Sequence, residues 1–286
     1  MEYKEYIVNF KNVMKNNLNI ETYNILEKNI NKIANINIKN NNISTNDKYY
    51  QSTRGGYIDR TITLYDYFDE GIFYHELFHA ASVLYDDNER MFDGFHHKIL
   101  SKNDIGRGIN EGYTEFLTQT YFIGNTDSVY ENEMYYANLI ERLIGKDKMQ
   151  SFYFKSDLNG LIDELCKYNN LEDILTFIKN VDSFSILREL RKEKALQYRT
   201  KDGELPHLKF LQLEQELEQL VAKIYESLNQ FIIESYINKI KDNPNFAQEK
   251  ENLISLMTKK LKFEVFEYEF DIDSLVNDYC NKHKKL

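Results

Sequence analysis

The sequence predicts a mostly helical α+β fold. A mixed N-terminal lobe over about residues 1–124 carries a small sheet and one buried helix, and a mainly α-helical lobe over about 125–286 follows it. Three observations lead there. Only two prolines and 11 glycines interrupt the 286-residue chain, which favours long helices with short connections. Apolar residues recur at three-to-four spacing through most of the chain after Gly124, the period of a helix with one buried face. Short alternating segments sit instead before the first long apolar helix and again near the C-terminus, the period of strands. Hydrophobic residues make up 42% of the chain, enough for a sizeable core at this length.

The elements follow in order. Tyr3, Tyr6, Phe10 and Val13 form one helical stripe. Tyr23, Leu26, Ile30 and Ile33 form a second, with the break at Asn16-Asn17. Asn40-Asn41-Asn42 reads as a turn between weak strands at Ile36, Ile38 and Ile43. Residues 57–65 alternate, with Ile58, Ile62 and Leu64 on one face and Tyr57, Thr61, Thr63 and Tyr65 on the other. That predicts one β-strand. Asp66 or Asp69 can cap the helix that comes next. From Gly71 to Leu84 that helix is apolar nearly all round, as buried helices are. Asp86-Asp87-Asn88-Glu89 reads as its solvated end, since no calcium-loop frame is present. Residues 130–144, 161–168, 171–178, 183–197 and 208–240 are amphipathic segments of the helical lobe. The stripe Leu213, Leu217, Leu220, Val221, Ile224, Leu228 and Phe231 predicts packing within the domain, with a coiled-coil surface as the alternative. Residues 263–270 alternate in part and predict a late strand.

Within the buried helix, His75-Glu76-Leu77-Phe78-His79 reads H-E-x-x-H. Positions i and i+4 share a helix face, so both imidazoles can converge on one zinc ion. Glu76 lies about 100° round the axis, placed to act as general base on a metal-held water without being a ligand. Three ionisable groups in a buried helix cost several kcal/mol unless paired or coordinating. Catalytic zinc sites take three protein ligands and leave a fourth position open. A third histidine at the metzincin spacing is missing, because Ser82 and Tyr85 stand where Gly and His are needed. Asn110-Glu111-Gly112-Tyr113-Thr114-Glu115-Phe116 supplies an acidic alternative. Glu111 is the candidate third ligand, Asn110 the expected N-cap, and Glu115 a carboxylate able to accept from the free ring nitrogen of a ligand histidine.

The pair His75-Glu76-x-x-His79 and Asn110-Glu111-Gly112-Tyr113 resembles the gluzincin clan of zinc metallopeptidases, over about residues 57–124. The resemblance implies a zincin-like lobe, one zinc per chain on His75, His79 and Glu111, and Glu76 as catalytic base. It also implies Glu115 behind a ligand histidine, and hydrolysis of a peptide or protein substrate in a cleft between the two lobes. By the same resemblance, the strand before the metal helix is an edge strand that holds extended substrate. The long interval between His79 and Glu111 departs from the familiar branches and predicts an extra loop. No Gly-x-Met-x-Asn-type signature, with which the aminopeptidases grip a substrate's amino terminus, is present, and the sequence leaves exo- and endopeptidase action open. A gluzincin also needs an oxyanion donor; Tyr168 and His207 are candidates among 22 tyrosines and six histidines. The alternative is a non-catalytic zinc-stabilised interaction module, marked by a fourth protein ligand such as His96 or His97.

The net charge of −10 argues against nucleic acid and an anionic membrane surface as partners. Cys166 and Cys280 form no C-x-x-C and fit a reducing compartment. The N-terminal residues lack a signal-peptide layout, and no apolar run is long enough to span a bilayer. The expected location is cytoplasmic, with signal-independent export left open. The pattern carries no oligomeric signature.

Overall fold

Asn19 caps the start of the second helix. Its side chain accepts from the Thr22 amide at 2.9 Å, so α1 (Tyr3–Asn17) gives way to α2 (Ile20–Ile30) within two residues of the expected break. The computed structural model describes residues 3–39, 55–65, 67–85, 91–98, 104–198 and 207–283. Over these residues the protein is α+β and mostly helical, with three small sheets. The proposed turn at Asn40-Asn41-Asn42, Ile43, Asp66 and the residues 86–89 lie outside the described residues.

The chain divides into two compact units, Met1–Leu161 and Ile162–Leu286. The expected boundary after Gly124 therefore falls inside the first unit. In that unit β1 (Asn35–Lys39), β2 (Gly55–Ile58) and β3 (Thr61–Tyr65) form a sheet of order β1-β3-β2, with β1 parallel and β2 antiparallel to β3. The single strand predicted over 57–65 is thus a hairpin, and its second strand β3, the one directly before α3, is the central strand of the sheet and not the expected edge; an edge position falls to β2. Asp59 and Arg60 turn the hairpin with φ of 49° and 60°, the conformation that suits a two-residue hairpin turn. Asp-Arg is a poor sequence match to that turn, and so the break is hidden. The turn also reverses the facing: Tyr57 pairs with Ile62 and both are buried, whereas Ile58 is exposed.

Helix α3 (Glu70–Ser82) comes next and runs straight into β4 (Val83–Tyr85). With β5 (Met91–Asp93), β6 (His96–Lys98) and β7 (Asp104–Ile105) it makes a four-stranded antiparallel sheet, β4-β5-β6-β7. The interval expected to be a loop is a small sheet. Helix α4 (Arg107–Thr118), a π-helical turn (Gln119–Ile123), α5 (Glu131–Ile144) and α6 (Lys146–Phe154) follow. Asn110 is not the N-cap of α4, because the helix begins at Arg107 after Gly106. Asn110 is instead buried, and its Oδ1 accepts from the Phe95 amide at 3.0 Å. The boundary between the units falls within α7 (Leu158–Leu165).

The second unit is built on α8 (Leu171–Tyr198) and α9 (His207–Ile240). The two segments read at 171–178 and 183–197 are one helix, since Val181, Phe184 and Leu187 continue its buried face across the gap. Phe177 stacks on Phe231 at 4.4 Å and Phe184 meets Tyr225 at 5.2 Å, an antiparallel pairing. Leu217, Val221, Ile224, Leu228 and Phe231 are buried within this unit, as domain packing requires, whereas Leu220 of the same predicted stripe is exposed and Leu213 half-buried. Helix α10 (Phe246–Leu256), the hairpin β8 (Lys260–Phe263) and β9 (Phe266–Glu269), and α11 (Ile272–His283) complete it. The late strand is therefore a hairpin, turned at Glu264 with φ of 55°. Among the described residues, no helix is long and apolar enough to cross a membrane.

Candidate metal centre

Helix α3 places the H-E-x-x-H residues at the middle of the first unit. Asp69 caps it, accepting from the Ile72 amide at 3.0 Å. Every residue from Phe73 to Ser82 is buried. Aromatic contacts grip its outer side: Phe10 meets Phe78 at 4.9 Å and Tyr74 stacks on Phe122 at 4.0 Å. With those faces fixed, His75 and His79 point together toward α4.

Their Nε2 atoms lie 3.1 Å apart. Glu111 Oε2 lies 3.3 Å from His75 Nε2 and 3.4 Å from His79 Nε2. A tetrahedral ion with bonds of about 2.0–2.1 Å keeps its ligand atoms about 3.3–3.4 Å apart, so the triangle matches one face of such a site. These three residues are a group able to hold a metal ion. Both imidazoles turn the opposite nitrogen to a carboxylate: His75 Nδ1 lies 3.0 Å from Glu115 Oε2, and His79 Nδ1 lies 2.9 Å from Asp93 Oδ2. A carboxylate accepts, so in each neutral imidazole Nδ1 carries the proton and Nε2 is left with its lone pair. Two nitrogen lone pairs and a carboxylate oxygen then face one another at about van der Waals distance. Only a cation or added protons can occupy that point favourably. The nitrogen and oxygen donors suit zinc and related divalent ions.

The electrostatics of these side chains agree. Burial disfavours the charged form of His75, yet the hydrogen bonds it donates to Glu111 and Glu115 outweigh it and push its pKa up to about 9. Burial likewise opposes His79, and the charges of Asp93 and Glu111 raise it well above the usual imidazole value. Glu111 is held well below the carboxylate range: its burial acts upward, but the two histidines prevail. Glu76 differs. It is 6% exposed, stands outside the triangle, and is raised chiefly by burial. A β-carbon on Gly55 would come within 2.9 Å of Glu76 Oε1, so the carboxyl lies against the backbone of edge strand β2.

Glu115, which faces His75 Nδ1, is itself braced. Gln119 Nε2 donates to Glu115 Oε1 at 3.0 Å and to the Thr126 carbonyl at 2.9 Å. The π-helical turn begins at Gln119, as such turns often do beside functional sites. Burial pushes Glu115 up, but bonds from His75, Gln119 and Ser128 bring its net pKa down.

Two residues of the site escaped the sequence. Asp93 stands in a stretch with nothing but an Asp-Gly pair to mark it. Tyr130, just before α5, lays its ring parallel to His75 with centroids 5.9 Å apart and 16° between planes. The Glu111 charge, followed by burial, raises its phenol well above the usual range. Tyr130 is thus beside the candidate ligands. Tyr168 belongs to the second unit, where its carbonyl accepts from Asn238 at 2.8 Å, and the His207 side chain lies outside the described residues. His96 and His97 stay out of the ligand group. His97 Nε2 donates to the Ser156 carbonyl at 2.9 Å, and His96 Nε2 lies 3.7 Å from Asp104.

No protein-family model, curated protein or solved structure matches the chain.

Proposed function

We propose that the protein is a zinc-dependent metallopeptidase of the gluzincin type, hydrolysing peptide bonds with His75, His79 and Glu111 as metal ligands and Glu76 as general base. The observation that carries this reading is Glu76: a buried carboxyl beside the His75–His79–Glu111 triangle that is not one of its corners. A zinc that merely stapled elements together would have no use for it, and burying it unpaired would be costly. When bound, zinc polarises the scissile carbonyl and lowers the pKa of a coordinated water toward neutrality.

The remaining work falls to side chains. Burial raises Glu76, which moves a carboxylate toward the range of an effective base near neutral pH. It takes the proton from the attacking water and gives it to the leaving amine, so no net proton is lost. Tyr130, packed on His75, has a phenol that keeps its proton and can donate it in a hydrogen bond to the developing oxyanion. Edge strand β2, against which Glu76 rests, offers backbone groups to an extended peptide. The two free cysteines agree with a cytoplasmic setting. The test is zinc content and peptide turnover in wild type, Glu76→Gln and Glu111→Ala. Glu76→Gln should keep about one zinc per chain and lose turnover by several orders of magnitude. Equal turnover in Glu76→Gln and wild type would dismiss the mechanism. Glu111→Ala should lose zinc.

A further inference from the structure

We propose that Asp93 is a positioning residue of the metal centre, which holds His79 in the one tautomer and ring orientation that present its Nε2 to a cation. This rests on the metal-centre part of the proposed function and extends it to a residue with no place in the H-E-x-x-H or Asn-Glu-Gly motifs. Asp93 Oδ2 lies 2.9 Å from His79 Nδ1. Its other oxygen, Oδ1, accepts from Ser82 Oγ at 3.1 Å. Ser82 lies three residues beyond His79 on the same helix, and its one hydroxyl proton is shared between Asp93 and the His79 carbonyl, 3.2 Å away. Both carboxylate oxygens are thus tied to α3, so Asp93 cannot turn away without breaking two bonds.

The fold brings Asp93 there by a short route. Helix α3 leads directly into β4, and β5 returns antiparallel with Val83 opposite Asp93. The Gly94 amide donates to the Ser82 carbonyl at 3.1 Å, which clamps the turn of chain just past Asp93. Gly94 has φ of 52°, and a β-carbon there would strike Asn110 and Tyr153. The hairpin tip is thereby wedged between the two metal-bearing helices and α6. Asn110 is the other polar group near His79, but its Nδ2 is 3.5 Å from Nδ1, too long to compete, and it is a donor facing a donor. Its carbonyl oxygen is already committed to the Phe95 amide. Among the described residues, Asp93 is therefore the carboxylate that receives His79 Nδ1, as Glu115 receives His75 Nδ1. The four-stranded sheet inserted between the two motifs gains a purpose: it delivers the second carboxylate.

Zinc dissociation constants measured by chelator competition, on metal-free wild type and on Asp93→Asn, Asp93→Ala and Ser82→Ala, test the assignment. Far-UV circular dichroism and the visible spectrum of each cobalt(II)-substituted form accompany them. Loss of an outer carboxylate weakens a metal site by about 10–100-fold. Asp93→Ala should fall near the upper end and Asp93→Asn nearer the lower, with helical content unchanged and the cobalt bands displaced. Ser82→Ala should show a smaller loss in the same direction. Zinc affinity and cobalt spectra equal to wild type in all three would overturn the role. Should Asp93→Ala fail to fold, Asp93→Asn and Ser82→Ala, which alter volume little, decide the matter. Wild type that binds no zinc would overturn the metal centre and this role with it. Zinc binding that depends on Asp93 in a protein that cleaves no peptide supports the role and removes only the hydrolytic reading.

Discussion

Gly112 and Glu133 meet backbone to backbone: a β-carbon on Gly112 would lie 2.2 Å from the Glu133 carbonyl carbon and 2.4 Å from its oxygen. Helices α4 and α5 can approach this closely only because position 112 has no side chain. The contact has consequences at the candidate metal centre, since Glu111 precedes the glycine and Tyr130 lies just ahead of α5. Gly112→Ala should force the helices apart, as overpacking does at a cost of about 1–3 kcal/mol. The helix-favouring effect of alanine, up to about 1 kcal/mol, offsets only part of that. Chemical denaturation should show a net loss of stability, and peptide turnover should drop with Tyr130 displaced. Unchanged midpoint and turnover would mean that α5 is not seated as described.

Tyr130→Phe isolates the phenol. The ring contact with His75 survives and the hydroxyl is lost. Removing one oxyanion donor typically lowers kcat by about 10²–10³, so a fall of that size is expected, with KM and zinc content near wild type. A variant that turns over as wild type does would strip Tyr130 of the donor role and leave it as packing.

The sequence made the centre legible where local geometry decides, and hid it where chain reversal decides. His75, Glu76 and His79 are fixed relative to one another by helix periodicity, and Glu111 and Glu115 by the same rule one helix later. All five could be read without a fold. Asp93 reaches His79 only because β4 and β5 fold back on α3, and Tyr130 reaches His75 only because Gly112 admits α5. Neither residue has a spacing that marks it. The same limit explains the fold errors. Alternation over 57–65 continues smoothly through Asp59-Arg60, so periodicity reported one strand where two exist. The side chain of Asn110 is drawn into the hairpin tip, which a capping preference alone could not reveal.

Glu115→Gln probes the other outer carboxylate. Gln119 fixes Glu115 Oε1, leaving Oε2 for His75. An amide here keeps the shape and loses the charge. Zinc affinity should fall by about 10-fold or more, while Gln119→Ala, one step further out, should cost less. If both variants retain zinc as wild type does, His75 needs no such support and the bracing has no bearing on metal capture.

High pH should weaken the fold through its buried phenols. Burial raises Tyr153, whose hydroxyl lies 2.7 Å from Thr114 Oγ1. Burial, together with the Glu141 charge and hydrogen bond, raises Tyr113 well above its ordinary value. For a group whose folded pKa is raised, the folded state keeps the proton that the unfolded chain gives up. Its contribution is full below the unfolded value, about 10 for tyrosine, and is lost as pH climbs from there toward the folded value. Each such tyrosine should therefore take away up to about 1.4 kcal/mol per pH unit above about pH 10. Urea unfolding followed by circular dichroism at about pH 9 and about pH 11 reads the slope. Tyr153→Phe should remove one tyrosine's share of it. The chain has no tryptophan, so tyrosinate absorbance reports ionisation cleanly. Native protein should withhold these phenols from titration until it unfolds. A stability that stays flat to about pH 11, or a full set of tyrosines titrating in the native state, would show that these hydroxyls are in contact with water.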